Sequence, residues 1–397
     1  MSEQPIRTYL IDPKAPLIVR SGRPFDNQAG TDAARFPPPS TLAGALRTAH
    51  AHSTDKPLGL ELAQLACCGP LPVRLDDAGK TISLLVPKPA DALYFWNADD
   101  AAPMLVQATP QAPCAGEGCD LEPSLLPVQL TKRVAGKPAD GPQWWAWKDL
   151  ITFRAEANAL QPQPTLADIE ARGWRQPEDE VRTHVAIERR SQANEAGILF
   201  QTAGMAFLPR TKGKTTFGQD RFPSGRIGVL GRMHGDISAG LITLGGERRL
   251  SAIASADDAL WPATPEGLAR DILKAGGLCL TMLTPALFTG GWLPGWLRRA
   301  GGALEGAPEV CPGLKLRLRA AALERWSPHS GWDLAARRPR AGRKMIPAGA
   351  VYWFELLEAN ESALQALWLA SVCDDAQDMR DGFALALPQP WTPPATN

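Results

Sequence analysis

The sequence has no excess of charge of either sign: its 397 residues include 42 lysines and arginines against 42 aspartates and glutamates. That balance excludes a bulk polyanion binder. Contact with nucleic acid must then come from local basic clusters, because affinity for phosphate follows how many cations meet phosphates and not the total charge. No apolar run is long enough to span a bilayer. The N-terminal MSEQPIRTYLIDPK lacks the charged and apolar pattern of a signal peptide, so a cytoplasmic location is expected. The seven cysteines are odd in number and irregularly spaced, unlike a secreted disulfide framework. Cys114 and Cys119 have no second Cys or His pair at zinc-like spacing, and no metal is expected.

Catalytic signatures are missing too. The five histidines (His50, His52, His184, His234 and His329) stand in no spacing that implies a partner. The carboxylate doublets at Asp76, Asp99, Asp257 and Asp374 are adjacent in sequence, so in extended chain their side chains diverge. There is no Walker loop, nucleophile elbow, dinucleotide fingerprint or metalloprotease helix. The expectation is a protein that is not an enzyme and carries no cofactor. No period of 20 to 50 residues recurs, which argues against a solenoid or propeller.

What is present begins with PLIVRSGRPFDNQAGTDAARFPPPSTLAGALRTAHA. Leu17, Ile18 and Val19 read as a strand core, stopped by Gly22 and Pro24. A basic loop from Arg20 to Arg35 follows. After three prolines Ser40 is placed to cap a helix whose Leu42, Ala45, Leu46 and Ala49 share one face, with Arg47 on the other side. Two further basic runs stand out. Arg210 to Arg232 holds six basic residues against Asp220, and RRPRAGRK, Arg337 to Lys344, holds five without an acid. A solvated loop is the competing reading for each.

Elsewhere TISLLVPKPADALYFW, HVAI, GILFQT and the two arms of GLITLGGERRLSAI read as strands. A second unit starts near Leu278, where Leu278, Leu280 and Met282 alternate with Cys279 and Thr281. Leu314, Leu316 and Leu318 alternate with Lys315, Arg317 and Arg319 in the same way. GAVYWFEL adds a strand, Asn360 caps a helix over ESALQALWLASV, and GFALAL closes as a strand. Antiparallel sheets with helices on one side make an α+β protein. Two domains are expected, 1–265 and 266–397, with a Pro- and Gln-rich insertion at about 99–180 in the first. The thirteen tryptophans suit a core or a subunit interface, and as an alternative would be stacking platforms for bases.

In order along the chain, PLIVRSGRPF, FPPPSTLAGALRTA, HVAIERRSQANEAGILFQT, GLITLGGERRL, LTPALFTGGWLPGW, SGWD, IPAGAVYWFEL and DGFALALPQPW resemble the RAMP-superfamily third subunit of the type III-B CRISPR Cmr effector complex. The resemblance implies two ferredoxin-like (RRM-like) RAMP domains and a non-catalytic RNA-binding scaffold that recognises the 5′ repeat-derived handle of crRNA. It also implies docking to the large polymerase-like subunit and the backbone RAMP subunit, with target RNA bound by the assembled complex. The RNA-binding residues it implies are Arg20, Gly22, Arg23, Arg47, Arg189 and Arg190, to which the basic clusters add Arg35, Arg210, Lys212 and Lys214. Two alternatives stand beside this: a metal-independent endoribonuclease that processes precursor crRNA, and an adaptor that binds only protein. Superfamily members often end in a glycine-rich loop that supports RNA. Here DDAQDMRDGFALALPQPW carries one glycine and four aspartates, which suit a protein contact better than a phosphate.

Overall fold

The structure is a computed structural model that describes residues 5–19, 34–97, 102–113, 116, 118–155, 163–177, 179–207, 226–333 and 338–394. In chain order the first half contains β1 (Ile6–Pro13), α1 (Pro39–Ser53), β2 (Cys67–Leu75), β3 (Thr81–Pro87), β4 (Ala92–Asn97), β5 (Ala102–Pro110), β6 (Val128–Leu130) and β7 (Trp144–Ala146). It continues through α2 (Trp147–Arg154), α3 (Leu166–Arg172), β8 (Glu180–Ile187), β9 (Asn194–Gly204), β10 (Arg226–His234), β11 (Gly240–Thr243) and β12 (Leu250–Ser255). The second half starts with α4 (Leu268–Ala275) and runs through β13 (Gly277–Met282), β14 (Leu297–Ala300), β15 (Ala303–Gly306), β16 (Lys315–Ala322), β17 (Ser327–His329), β18 (Trp332–Asp333) and β19 (Arg338–Pro339). It closes with β20 (Arg343–Met345), β21 (Val351–Glu358), α5 (Glu361–Ala366), α6 (Ala376–Asp381) and β22 (Ala386–Pro390). The protein is α+β, with antiparallel sheets and few helices.

One sheet has the order β11-β12-β1-β10-β2-β3-β7 and the other β14-β15-β16-β21-β13-β22. All the pairings in both are antiparallel. In the first sheet Tyr9 and Ile11 alternate onto the face beneath α1, and both are fully buried. The helix can sit that close because β10 carries Gly231 there: a Cβ on it would lie 2.8 Å from Leu42. Two expectations need correction. Leu17 to Val19 are buried but form only a bridge from Leu17 to Met205, and the first strand lies upstream in IRTYLIDP. Ser40 caps nothing. Pro38 holds the N-cap position without a side-chain cap, and Pro39 follows at the first helical position, where the free amides of a first turn suit proline.

In the second sheet the alternation of β13 has a simple cause. Leu278, Leu280 and Met282 face the main core, while Cys279 faces a smaller cluster with Ala320, Val351 and Trp353. Leu126 and Val128, from the stretch read as an insertion, pack on that second face. On β16 the outward Arg317 reaches Glu305 and Glu355 instead of open solvent. Asn360 caps α5 through the Ala363 amide as expected, but that helix stops at Ala366, short of the ESALQALWLASV reading. Leu369 there takes a φ of 51° and turns the chain toward β22.

The halves share one apolar cluster, in which Leu71, Val73 and Trp145 meet Leu283, Leu369 and Leu387. Two buried arginines bridge them as well. Arg154 of α2 forks onto Asp91 and also donates to Thr281 Oγ1 of β13 at 3.2 Å. Arg47 of α1 meets Asp381 at the end of α6 at 2.5 Å.

Candidate nucleic-acid interface

Between the two sheets lies a cleft, and the flanks of the first basic segment stand at it. Val19 and Arg35 both line a cavity of about 240 Å3 there, with Phe36, Trp144 and seven prolines among its walls. Prolines lack the amide donor and fix φ, so they stiffen walls that also carry Lys88, Gln143, Gln176 and Glu324. The flank of the second basic segment reaches the same place. Leu17 and Met205 exchange backbone hydrogen bonds of 2.9 and 2.8 Å. Phe207 packs 6.1 Å from Phe36, whose ring is 4.6 Å from Trp144. Tertiary packing therefore gathers the roots of two basic segments that lie about 170 residues apart in sequence.

Arg20, Gly22, Arg23, Arg210, Lys212 and Lys214 lie outside the described residues. Arg35 is half-buried and donates from Nη1 to the Pro328 carbonyl at 3.3 Å. Arg189 and Arg190 sit exposed in the turn that joins β8 to β9. That hairpin shows Val181, Val185 and Ile187 to solvent, while His184 stacks on Phe200 and bonds Thr202 through Nε2 at 2.9 Å.

Arg47 is the correction among the expected RNA contacts. It is 9% exposed, and its donors are taken by Asp381, by the Leu65 carbonyl and by the Arg380 carbonyl. A phosphate finds no free fork there. The sequence placed it on the helix's outer side because its partner arrives only at the other end of the chain. The second basic run, Arg210 to Arg232, also divides. From Arg226 onward it is β10, a central strand, with Arg226 paired to Asp12 and Arg232 stacked over Trp261.

The closing acids are spent inside the chain. Asp374 accepts from the Thr289 and Gly295 amides, Asp375 caps α6, Asp378 is forked by Arg343 at 2.6 and 2.7 Å, and Asp381 holds Arg47. A second cavity, of about 400 Å3, lies between Arg340 and Arg343 on one side and Asp378 and Asp381 on the other. His329 lines both cavities, with Ser40 Oγ 3.5 Å from its Nε2. Burial first, then the neighbouring Arg343, Arg340 and Arg35, push its imidazole down to about 4, so it is neutral at physiological pH. Burial pushes the Asp378 carboxyl up, while Arg343 pulls it back. The positive field at His329 was only partly legible in sequence: Arg340 and Arg343 belong to the nearby RRPRAGRK run, while Arg35 arrives from far away in the chain.

Among the described residues no group of three or more His, Cys, Asp or Glu is placed to hold a metal ion. No described helix is long and apolar enough to cross a membrane.

The sequence matches the family of CRISPR-associated proteins termed Cas_Cmr3 over residues 9–391. It belongs to the Cas_Cmr3 family. No curated protein matches this family member. Among solved structures, a chain of the Type III-B Cmr-beta bound to cognate target RNA is similar at 14% identity, with a TM-score of 0.42, covering 87% of this chain and 86% of its own. A chain of the same complex bound to cognate target RNA and AMPPnP is similar at 14% identity and a TM-score of 0.43 over the same shares.

Proposed function

We propose that this Cas_Cmr3 member is a non-catalytic RNA-binding scaffold subunit of a type III-B CRISPR effector, acting in the cytoplasm. In this reading it recognises the 5′ repeat-derived handle of crRNA and docks the large polymerase-like subunit and the backbone RAMP subunit, the assembled complex binding target RNA. The observation that carries it is the convergence of the two basic segments' roots at one cleft with proline-stiffened walls. Single-stranded bases can be splayed into such a setting and met one by one, while cations on the rim meet phosphates. Two ferredoxin-like RAMP units fit the sheet orders. In the first, β1 lies between β12 and β10, with β2 next. In the second, β13 lies between β22 and β21, with β16 next. Each unit then keeps one of its two crossover helices, α1 in the first and α5 in the second.

The test is to purify the chain with its neighbouring subunits and a crRNA, crosslink with ultraviolet light, and map adducts by mass spectrometry. Handle nucleotides attached to this chain support the reading. Handle adducts confined to other subunits overturn it in favour of a protein adaptor. Metal-independent cleavage of repeat RNA by the purified chain would overturn the scaffold role in favour of processing.

A further inference from the structure

The ribbon formed by β17 and β20 has two unlike faces. Ser327 pairs with Met345, Pro328 with Lys344 and His329 with Arg343. His329 and Met345 are buried toward the cleft. Alternation turns Lys344 to the opposite face, and its contact with Trp326, just before β17, puts that ring there too, while Pro328 lies at the edge of the cavity. Trp326 is 45% exposed, unusual for so large an apolar side chain. Lys344 Nζ lies over one side of its ring, 5.3 Å from the centroid. Arg325 and Arg340 are exposed beside this ribbon, and among the described residues their guanidiniums have no ion pair or hydrogen bond. Glu324, two residues before Trp326, already faces Lys88 at 3.5 Å.

We infer that Trp326 is a stacking platform for one unstacked base of an RNA strand, with Arg325 and Lys344 meeting the adjoining phosphates. The inference rests on the RNA-binding reading above and adds a contact outside the segments that reading relies on. Three observations point to RNA over an acidic peptide. An open aromatic ring has a partner in a base and none in a carboxylate. With a cation on one side, Trp326 still exposes 45% of its surface, area on which a base can stack. The ribbon also adjoins the cavity that holds the root of the first basic segment, because Arg35 donates to the Pro328 carbonyl at 3.3 Å. A strand running from that root along the ribbon meets ring and cations in succession.

The test uses the assembled complex and a crRNA with 4-thiouridine placed singly through the handle and first guide positions. The expected result is an adduct on the Trp326 peptide, with Trp326→Ala weakening crRNA capture roughly fivefold to a hundredfold. Trp326→Phe should keep most of the affinity, and both variants should melt with the parent. Adducts elsewhere on the chain, with unchanged affinity for Trp326→Ala, overturn this inference and leave the RNA-binding reading standing. No adduct anywhere on the chain overturns both. Loss of subunit assembly in Trp326→Ala, with RNA capture intact, assigns the ring to a protein partner and overturns the stacking role.

Discussion

Arg47 Nη1 lies 2.5 Å from Asp381 Oδ1, which joins α1 to α6, the first and last helices among the described residues. Both side chains are nearly sealed from water, at 11% and 6% exposure. Removing either partner strands a buried charge. Arg47→Ala and Asp381→Ala should each destabilise the fold by about 3–5 kcal/mol. A double-mutant cycle in urea should show the pair costing less than the sum of the single changes, and additive losses would mean that the two do not interact.

His329 should make stability pH-dependent in the acid range. Its folded-state value is depressed to about 4 from an ordinary 6.5, so the unfolded chain binds a proton that the folded chain refuses. The contribution is therefore full above about 6.5 and is lost as pH falls toward and through 4, up to about 3 kcal/mol in all. Burial sets it first, followed by Arg343, Arg340 and Arg35, against Asp381. Urea denaturation of the parent and of His329→Gln between pH 4 and 7 checks this. Equal slopes would show that the imidazole is not shielded.

Gly349 and Gly342 are close in sequence and should respond differently to alanine. Gly349 has a φ of 90°, and a Cβ there would lie 2.2 Å from the Lys88 carbonyl, across the junction of the halves. Gly342 has ordinary backbone geometry and open space. Gly349→Ala should cost at least about 1–3 kcal/mol, whereas Gly342→Ala should stay within about 0.5 kcal/mol. Comparable melting temperatures for the two variants would contradict the close approach.

The β8–β9 turn offers a direct test of charge. If Arg189 and Arg190 meet phosphates of a single strand in the assembled complex, changing both to Gln should lower the slope of log affinity against log salt by about 1.4, roughly 0.7 for each. Filter binding of crRNA across a salt series reads this. An unchanged slope would place the turn away from the backbone.

Elements that bury one face and wet the other were readable directly. β16 shows this, its leucines entering the core while Lys315 and Arg317 face carboxylates; β13 is buried on both faces, and its alternation separates a large core from a smaller one. β10 was not readable, since Gly228, Gly231 and two arginines dilute the pattern of a strand whose neighbours pack close on the glycines. The site was legible as basic segments, but not as a place. What gathers those segments is the Leu17 to Met205 pairing and the Phe36 and Phe207 contact, and no local pattern encodes either. Arg47 and the four closing aspartates misled for the same reason, because a charge whose partner is distant in sequence looks free.

The Arg47 to Asp381 contact also orders events during synthesis. Its partners are separated by 334 residues, on the order of 20–70 s of translation at 5–20 residues per second. Throughout that interval α1 cannot seat fully without sealing in a lone cation. A ribosome that stalls before α6 thus releases a product in which α1 stays loose, open to proteases, and the chain's opening segment reports whether its ending was made.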